Sequence, residues 1–337
     1  LKQLRLRNWQ PLPVDPSTID AVVLTHAHLD HSGYLPLLVR NGFRGPVYCT
    51  PPTADLCAVL LPDSGRLQEE EADTANRYGY SKHDPALPLY TEPDAYVALD
   101  LFETVPYGKP FTVAGLEVSF TRAGHMLGAA YVHVRAKDTD VLFSGDIGRP
   151  GEPLLLPPED HEGADYLLVE STYGDRLHAD TNPADMLAEV IGRTAARGGT
   201  VIIPAFAVGR AQTILYYIYR LAQEQRIPNI PVFIDSPMAG RASEVYRLHA
   251  SETQLGRDLC KAICDFAEPV ETVEESKRID RMTKPRVIIS ASGMATGGRV
   301  VHHLKMLAPD ERNTILFAGY QAAGTRGAHL VAGARAV

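Results

Sequence analysis

The sequence predicts an α/β fold arranged in two domains, and three observations support this prediction. Short apolar runs that are typical of buried strands recur along the chain. Helix-like patterns separate the later runs, and strand–helix alternation is typical of a parallel sheet. The length of 337 residues is enough for two domains of ordinary size. With 45% hydrophobic and 22% charged residues, the composition excludes wholesale disorder, and no apolar run is long enough to span a bilayer.

Eight predicted strands follow one another, each leading directly into polar or glycine-rich residues. They cover residues 20–25, 116–121, 140–144, 166–169, 200–204, 231–235, 286–290 and 314–317. Between the later strands, Asn182 followed by Pro183 predicts a helix start, and the glycines at 198–199 predict its end. Residues 207–223 repeat apolar side chains at helical spacing and predict another helix.

The acidic, Pro- and Tyr-rich stretch 62–103 is predicted to form helical and irregular surface that covers the first domain. The domain boundary is expected near residues 178–182. This divides the chain into a first domain of residues 1–178 and a second of residues 179–337.

Charge is distributed unevenly along the chain. The formal net charge is −8, which argues against a wholly basic nucleic-acid-binding protein. Residues 281–337, however, contain eight Lys or Arg against two acidic residues, a local charge of +6, so the remainder carries −14. This asymmetry indicates a site for a polyanion in the C-terminal part, although scattered solvated charges would give the same count.

The strongest chemical signal is a histidine-rich loop after the first predicted strand, with His26, His28, Asp30 and His31 within six residues. Imidazole and carboxylate groups are ligands that zinc prefers. His26 and His28 can hold one ion, while Asp30 and His31 lie on the following turn and can face a second. A solvated histidine-rich loop is the alternative, which the position at the end of an apolar strand disfavours.

Two later strands end in similar groups. The strand at 116–121 leads to His125, and the strand at 140–144 leads to Asp146. Alone, His125 fits a satisfied core histidine equally well, and Asp146 fits a turn or N-cap residue. Beside the histidine-rich loop, both are expected to complete a two-metal site. Asp146 would bridge the ions, because a carboxylate has two oxygens.

These residues resemble the pattern of the metallo-β-lactamase superfamily, His-x-His-x-Asp-His followed by a lone His and a lone Asp. Four later segments resemble the β-CASP group, the branch of that superfamily that cuts nucleic acids. They are Val169–Asp175, Pro204–Gln212, Asp235–Ala239 and Ser290–Arg299. The resemblance covers residues 20–335 and implies an incomplete αββα metallo-β-lactamase sandwich with an inserted β-CASP domain, itself an α/β parallel sheet.

The resemblance implies two bound Zn²⁺ ions. His26, His28 and His125 hold the first ion. Asp30 and His31 belong to the second ion, and Asp146 bridges the two. The implied catalytic residues are Asp30, Asp146 and Glu170, with Glu170 supporting the site by hydrogen bonding to ligands or to the catalytic histidine. The expected reaction is hydrolysis of RNA phosphodiester bonds by a water that two metals activate. The expected metal ligands are His26, His28, Asp30, His31, His125 and Asp146.

Phosphate contacts are expected in the second domain, where glycine-rich loops after predicted strands lead into helices. Each contact alone fits a tight packing turn, but jointly, beside a two-metal site, they indicate phosphate binding. His302 and His303 receive no catalytic role, because one of two adjacent helix residues faces away from any site. The expected phosphate or RNA contacts are Arg210, Gln212, Ser236, Ser292, Gly293 and Arg299.

The expected partner is single-stranded RNA, with a homodimer as an option and no membrane. Four cysteines in so long a chain form no disulfide framework, so a reducing cytoplasm is the expected location. Cys260 and Cys264, one helical turn apart, are expected to be buried small hydrophobes.

The sequence departs from the family at both ends. About twenty residues precede the histidine-rich loop, and the two late histidines of the family do not appear before Val337. We therefore expect a fragment of a longer nuclease, and weak or absent activity from this chain alone. Two alternatives remain open: a hydrolase of esters or thioesters, which the β-CASP-like segments disfavour, and a non-catalytic RNA-processing subunit, which the early ligand set disfavours.

Overall fold

The strands of this α/β protein belong to two separate units, residues 1–174 and 175–337. The computed structural model describes residues 7–161, 163–175, 177 and 181–334. The predicted domain boundary between residues 178 and 179 lies outside the described residues and stays a prediction.

The described residues of the first unit form two sheets. A three-stranded parallel sheet has the order β1-β2-β3, and a five-stranded sheet has the order β4-β5-β6-β7-β8, antiparallel except between β7 and β8. Ala114 and Gly115 both have positive φ, the backbone that a tight hairpin between β4 and β5 requires. The strands are β1 Val22–Val23, β2 Val47–Cys49, β3 Phe102–Thr104, β4 Phe111–Val113, β5 Leu116–Arg122, β6 Ala130–Ala136, β7 Thr139–Phe143 and β8 Tyr166–Leu168.

The two sheets of this unit enclose one hydrophobic core. Alternation along β5 points Val118 and Phe120 inward, where both are buried. Phe111 of β4 lies between Tyr48 of the other sheet and Phe120, with ring centroids 4.9 and 5.4 Å away. Each such side chain contributes roughly 1.5–3 kcal/mol by leaving water. The sheets therefore pack as a sandwich.

Four α-helices lie in the described part of the first unit. The longest, α3, begins with Pro51 at its first position and ends where Gly79 adopts a left-handed conformation. Helix α4 begins with a capping box formed by Thr91 and Asp94, and it packs against α3 and α2. The stretch 62–103 thus holds most of α3 and all of α4. The helices are α1 Leu29–Ser32, α2 Leu35–Arg40, α3 Pro51–Tyr78 and α4 Glu92–Leu99.

The second unit is built on one parallel sheet with the order β11-β10-β12-β9-β13, so the predicted parallel α/β sheet is confirmed. Its strands are β9 Thr200–Pro204, β10 Val232–Asp235, β11 Glu268–Pro269, β12 Arg286–Ser290 and β13 Thr314–Ile315. Its helices are α5 Pro183–Ala196, α6 Arg210–Gln223, α7 Pro237–Leu248, α8 Gly256–Phe266, α9 Val273–Asp280, α10 Arg299–Leu307 and α11 Arg326–Val331.

Both faces of this sheet are buried. Ile203 and Ile289 pack on one face with Ile218 of α6, and Ile202 packs on the other with Leu304 of α10. Strands buried on both faces read as continuous apolar runs, which is why the sequence identifies them. The carboxyl ends of β9, β10 and β12 lead into the N-termini of α6, α7 and α10. No helix among the described residues is long and apolar enough to cross a membrane.

Candidate metal centre

Four potential metal ligands converge at one edge of the first unit. His26 and His28 follow β1, His125 follows β5, and Asp146 follows β7. One ligand atom from each lies within 4.8 Å of the others. The three strands end at the same place, so residues 120 positions apart in the sequence meet. The structure therefore contains the His/Asp cluster that the strand-end motifs predict.

Asp146 lies between a first group of three histidines (His26, His28 and His125) on one side and His31 on the second side. Its Oδ2 is 3.6 Å from His26 Nε2 and 3.4 Å from His125 Nε2, while its Oδ1 is 3.3 Å from His31 Nε2. His28 completes the first group, with its Nδ1 3.1 Å from His125 Nε2. The carboxylate thus presents one oxygen to each side. Asp30 lies beside the second side, with its Oδ2 3.8 Å from His31 Nε2.

The distances and the donor set fit zinc. Two ligand atoms about 2.0–2.1 Å from a tetrahedral ion lie about 3.3 Å apart, and the contacts in the first group span 3.1–3.6 Å. His26 Nε2 is buried, and it has no hydrogen-bond partner among the described residues. A buried polar atom without a partner is costly, and a bound cation would remove that cost.

The environment keeps the first group of imidazoles neutral. Burial, reinforced by neighbouring imidazoles, lowers the pKa of His26 to about 2 and that of His28 to about 4. Burial also lowers the pKa of His125. Neutral imidazole keeps the lone pair that binds a metal. On the other side, the hydrogen bond to His31 lowers the pKa of Asp146 to about 2, so this carboxylate is ionised.

Glu170 supports the loop that carries Asp146. Its Oε1 accepts a hydrogen bond from the backbone N–H of Ile147 at 3.3 Å, and its Oε2 accepts one from Thr172 N–H at 2.9 Å. Burial would raise the pKa of Glu170, but these N–H donors outweigh that effect and lower it. The predicted supporting residue thus bonds to the backbone beside a ligand.

A cavity of about 490 Å³ opens beside this cluster. The side chains of His31 and Asp146 are 28% and 27% exposed, so solvent reaches both. Part of the rim is apolar, because Phe143, Leu168 and Val169 are exposed next to it. The lining residues are Thr25, His31, Phe143, Ser144, Gly145, Asp146, Leu168, Val169 and Glu170.

Two supporting groups escaped the sequence reasoning. The Thr25 hydroxyl lies 3.2 Å from His26 Nδ1 and 3.3 Å from His31 Nδ1, so it contacts both sides of the cluster. Gly148 packs directly on the peptide before His125, where a Cβ would lie 2.0 Å from Gly124 O. Thr25 adjoins His26 in sequence, and Gly148 follows Asp146 closely. Their closeness in sequence to predicted ligands was the one feature that could have identified them as supporting residues.

Three predicted RNA contacts in the second unit have structural partners. Gln212 is buried, and its amide donates hydrogen bonds to Ala207 O, Ala239 O and Ser243 Oγ. Ser236 caps α7 by accepting from Ala239 N–H. Ser292 Oγ accepts from the N–H groups of Thr296 and Gly297. RNA binding by these three residues stays a prediction.

Arg299 is partly buried and has partners within the second unit, and RNA binding by this residue stays a prediction. Its guanidinium forms an ion pair with Asp235 at 2.6 Å and hydrogen bonds to the carbonyl oxygens of Val270 and Glu271. Gly293 lies where a Cβ would be 2.9 Å from Phe206 N. Arg210, at the first position of α6, is exposed and makes no side-chain hydrogen bond or ion pair within the described part of the chain.

His303 belongs to the same buried charge network as Arg299. Its Nε2 lies 2.7 Å from Asp235 Oδ2, and its Nδ1 lies 2.6 Å from Asp280 Oδ1. Burial would lower the pKa of His303, but these two hydrogen bonds outweigh that effect and raise it. The neighbouring His302 is 43% exposed. His302 Nε2 nevertheless lies 3.2 Å from Asp280 Oδ2, so the two adjacent histidines contact the same carboxylate, one from a buried and one from an exposed position.

Comparison with known proteins agrees with this architecture. Residues 9–188 match the metallo-beta-lactamase superfamily, and residues 211–330 match the Beta-Casp domain. The chain is 37% identical over 335 residues to Ribonuclease TTHA0252 of Thermus thermophilus, covering 97% of this chain and 73% of the relative. It is 35% and 34% identical to Transcription termination factor FttA of Methanosarcina mazei and of Methanocaldococcus jannaschii, covering 94% of this chain in each case.

This chain spans 50% of the length of those two FttA proteins. The match nevertheless runs through both units and includes the loops that carry the His/Asp cluster. Sequence pattern, sandwich, parallel sheet and ligand geometry all point to one family. The chain belongs to the metallo-β-lactamase superfamily and carries a β-CASP domain.

Proposed function

We propose that this protein is a zinc-dependent hydrolase that cleaves phosphodiester bonds of single-stranded RNA. The observation that carries the proposal is the orientation of Asp146 beside an open cavity. One of its oxygens faces His26 and His125, and the other faces His31, so a single carboxylate serves two groups of ligands. Paired metal sites of this kind occur in phosphatases and nucleases.

Two zinc ions held by these ligands would supply a nucleophilic water near neutral pH and a Lewis acid for the phosphoryl oxygens. The chain's own residues prepare the site. The three histidines of the first group offer neutral nitrogen donors, and Asp146 offers a charged carboxylate. Glu170 fixes the backbone at Ile147, next to that carboxylate. Asp30, whose side chain is 78% exposed, places a further carboxylate beside His31.

The β-CASP domain and the similarity to a ribonuclease support RNA as the substrate. Within the second unit, α6 and α10 begin at Gly209 and Gly298, and no side chain caps either helix. The N–H groups of Arg210, Ala211 and Val300 already donate to backbone carbonyl oxygens, so the helix starts alone do not provide the anion contact. Arg210 adds an exposed guanidinium at the start of α6. This guanidinium fits a phosphate group of a single strand.

The decisive experiment measures zinc content and RNA cleavage together. The full-length protein, loaded with zinc, is assayed on a labelled single-stranded RNA oligonucleotide and on an ester substrate. We expect RNA cleavage that chelation abolishes and zinc restores. His28→Ala and Asp146→Asn are expected to reduce cleavage at least about 100-fold, because the first removes a ligand and the second replaces a charged carboxylate by a neutral amide with one oxygen. His329→Ala, an exposed histidine in the second unit, is the matched control and should leave cleavage unchanged.

The outcomes separate the alternatives. Ester hydrolysis without RNA cleavage would assign the site to the other class of hydrolase. Zinc binding and RNA binding without cleavage would assign a non-catalytic role. Full cleavage by Asp146→Asn would contradict a mechanism that depends on this carboxylate.

The proposal also includes a cytoplasmic location. All four cysteines are free thiols, and Cys49, Cys57 and Cys260 are buried. Free thiols persist in a reducing compartment. Cell fractionation with an antibody against the native protein tests this location, and recovery from an oxidising compartment would contradict it. A homodimer stays a prediction.

A further inference from the structure

The loop at residues 123–129 connects β5 to β6 and carries His125. Two hydrogen bonds close it on itself, from Ala123 N–H to Ala129 O at 2.9 Å and from Ala129 N–H to Met126 O at 3.0 Å. At its end, Ala130 N–H donates to Thr25 O at 2.9 Å, which ties the loop to the residue before His26. The position of His125 therefore depends on how this loop is held.

Two buried hydroxyls hold the loop at Gly128. Thr50 Oγ1 lies 2.6 Å and Thr53 Oγ1 lies 2.9 Å from Gly128 O, and both threonines are fully buried. The two hydroxyl oxygens are 2.9 Å apart, so both side chains converge on one carbonyl group. The threonines lie 75 and more residues before Gly128 in the sequence. They come from the start of α3, a helix of 28 residues.

Thr50 occupies the N-cap position of α3, where a threonine side chain ordinarily accepts a hydrogen bond from the helix backbone. Here it makes no such bond. Its hydroxyl is directed instead to the loop that carries a metal ligand, at the expense of the helix cap. Because the Thr50 side chain does not cap α3, its hydroxyl is free to bond to the Gly128 carbonyl oxygen.

The contact between the helix and the loop is also close. Gly128 has a φ of 82°, and a Cβ there would lie 2.6 Å from both Thr53 N and Thr53 Oγ1. No side chain larger than hydrogen fits, so the loop backbone rests directly on the helix start. The phenolic hydroxyl of Tyr107 adds a third bond, to Ala129 O at 3.0 Å.

We propose that Thr50 and Thr53 are positioning residues for the metal centre. Their hydroxyls fix the Gly128 carbonyl and, through the loop, keep His125 Nε2 within ligand distance of His28 and Asp146. The inference rests on metal binding at this centre, as the proposed function does, but it is independent of the substrate. Hydrogen-bonding groups behind metal ligands typically change metal affinity 10–100-fold when removed.

The test is the zinc affinity of Thr50→Val/Thr53→Val, measured by competition with a chelator in the full-length protein. Valine keeps the shape of threonine and removes the hydroxyl. We expect zinc binding to weaken about 10–100-fold. The visible spectrum of the cobalt-loaded variant should change as well, because one ligand is displaced. Single Thr→Ser variants keep the hydroxyl and should retain wild-type affinity.

The control is Thr194→Val in the second unit, which removes another fully buried hydroxyl, bonded to Thr314 Oγ1 at 2.7 Å. It should lower thermal stability and leave zinc affinity unchanged. Wild-type zinc affinity in the double valine variant, alongside a loss of stability like that of the control, would overturn the inference. If the double variant does not fold, each single valine variant decides by the same comparison. Failure of the wild type to bind zinc would instead refute the proposed function.

Discussion

Gly148→Ala is expected to disrupt the metal centre, although residue 148 is not a ligand. An alanine Cβ at this position would lie 2.0 Å from Gly124 O, 2.1 Å from Gly124 C and 2.6 Å from His125 N. All three atoms belong to backbone, so no flexible side chain can move aside. The substitution must shift the peptide that precedes His125.

The size of the shift follows from these distances. Non-bonded carbon and oxygen atoms attract best near 3.5–4.0 Å, and approach below about 3 Å is strongly repulsive. Relieving a 2.0 Å contact therefore moves the loop by about 1 Å. Metal–ligand distances tolerate only about 0.2 Å. His125 is thus expected to lose its place as a ligand, and zinc affinity to fall at least about 100-fold. Overpacking should also reduce the free energy of unfolding by about 1–3 kcal/mol.

Zinc affinity by chelator competition and the free energy of unfolding by urea titration measure the two effects. Gly192→Ala in α5 is the matched control, because no atom lies within 4 Å of the added Cβ. It should stabilise the protein by about 0.5–1 kcal/mol and leave zinc affinity unchanged. If Gly148→Ala binds zinc within twofold of wild type, backbone crowding at residue 148 does not position His125.

Three further predictions concern the second unit. The raised pKa of His303 means that its charged form favours the folded state, so this contribution is full below about pH 6.5 and is lost as pH rises through the folded pKa. Urea titrations between pH 6 and 9 should therefore show a steeper fall in stability for wild type than for His303→Gln. Gln212→Leu leaves buried acceptors unsatisfied and should cost about 1–3 kcal/mol of unfolding free energy. Arg210→Ala should weaken RNA binding and reduce its salt slope by about 1, with unfolding free energy changed by less than about 0.5 kcal/mol.

Each of these predictions has a contradicting result. Parallel pH profiles for wild type and His303→Gln would show that the imidazole is not charged in the folded protein. Unchanged stability together with weaker RNA binding in Gln212→Leu would assign that amide to RNA and not to packing. If RNA binding by wild type and by Arg210→Ala has the same salt dependence, Arg210 does not contact phosphate.

The metal cluster could be predicted from the sequence because each ligand lies close in sequence to the end of an apolar strand. His26 and His28 are fixed by their spacing after one apolar strand, and His125 and Asp146 each follow another strand. Fully buried strands such as β9 and β12 are equally visible as apolar runs. Strand β6 was not predicted, because His133 and Arg135 interrupt its apolar pattern. The short strands β2 and β3, of three residues each, carry too few positions to show a period.

The supporting contacts could not be predicted, because they join distant parts of the chain. Thr50 meets Gly128 across 78 residues, and no local pattern marks a threonine as a donor to a remote carbonyl. The guanidinium of Arg299 pairs with Asp235, 64 residues earlier, and no local pattern indicates that partner. Both cases depend on which side chain faces inward, and only the packed structure determines that.

The buried network of Arg299, His303, Asp235 and Asp280 has a consequence for how this sequence can diverge. Arg299 and His303 are the partners of the two buried carboxylates there, and loss of one partner leaves a buried carboxylate uncompensated at a cost of about 3–5 kcal/mol. Single substitutions are therefore disfavoured, whereas replacement of the whole set by apolar side chains can be tolerated. These four positions are expected to vary together among related sequences, as one mutational unit that spans β10, α9 and α10.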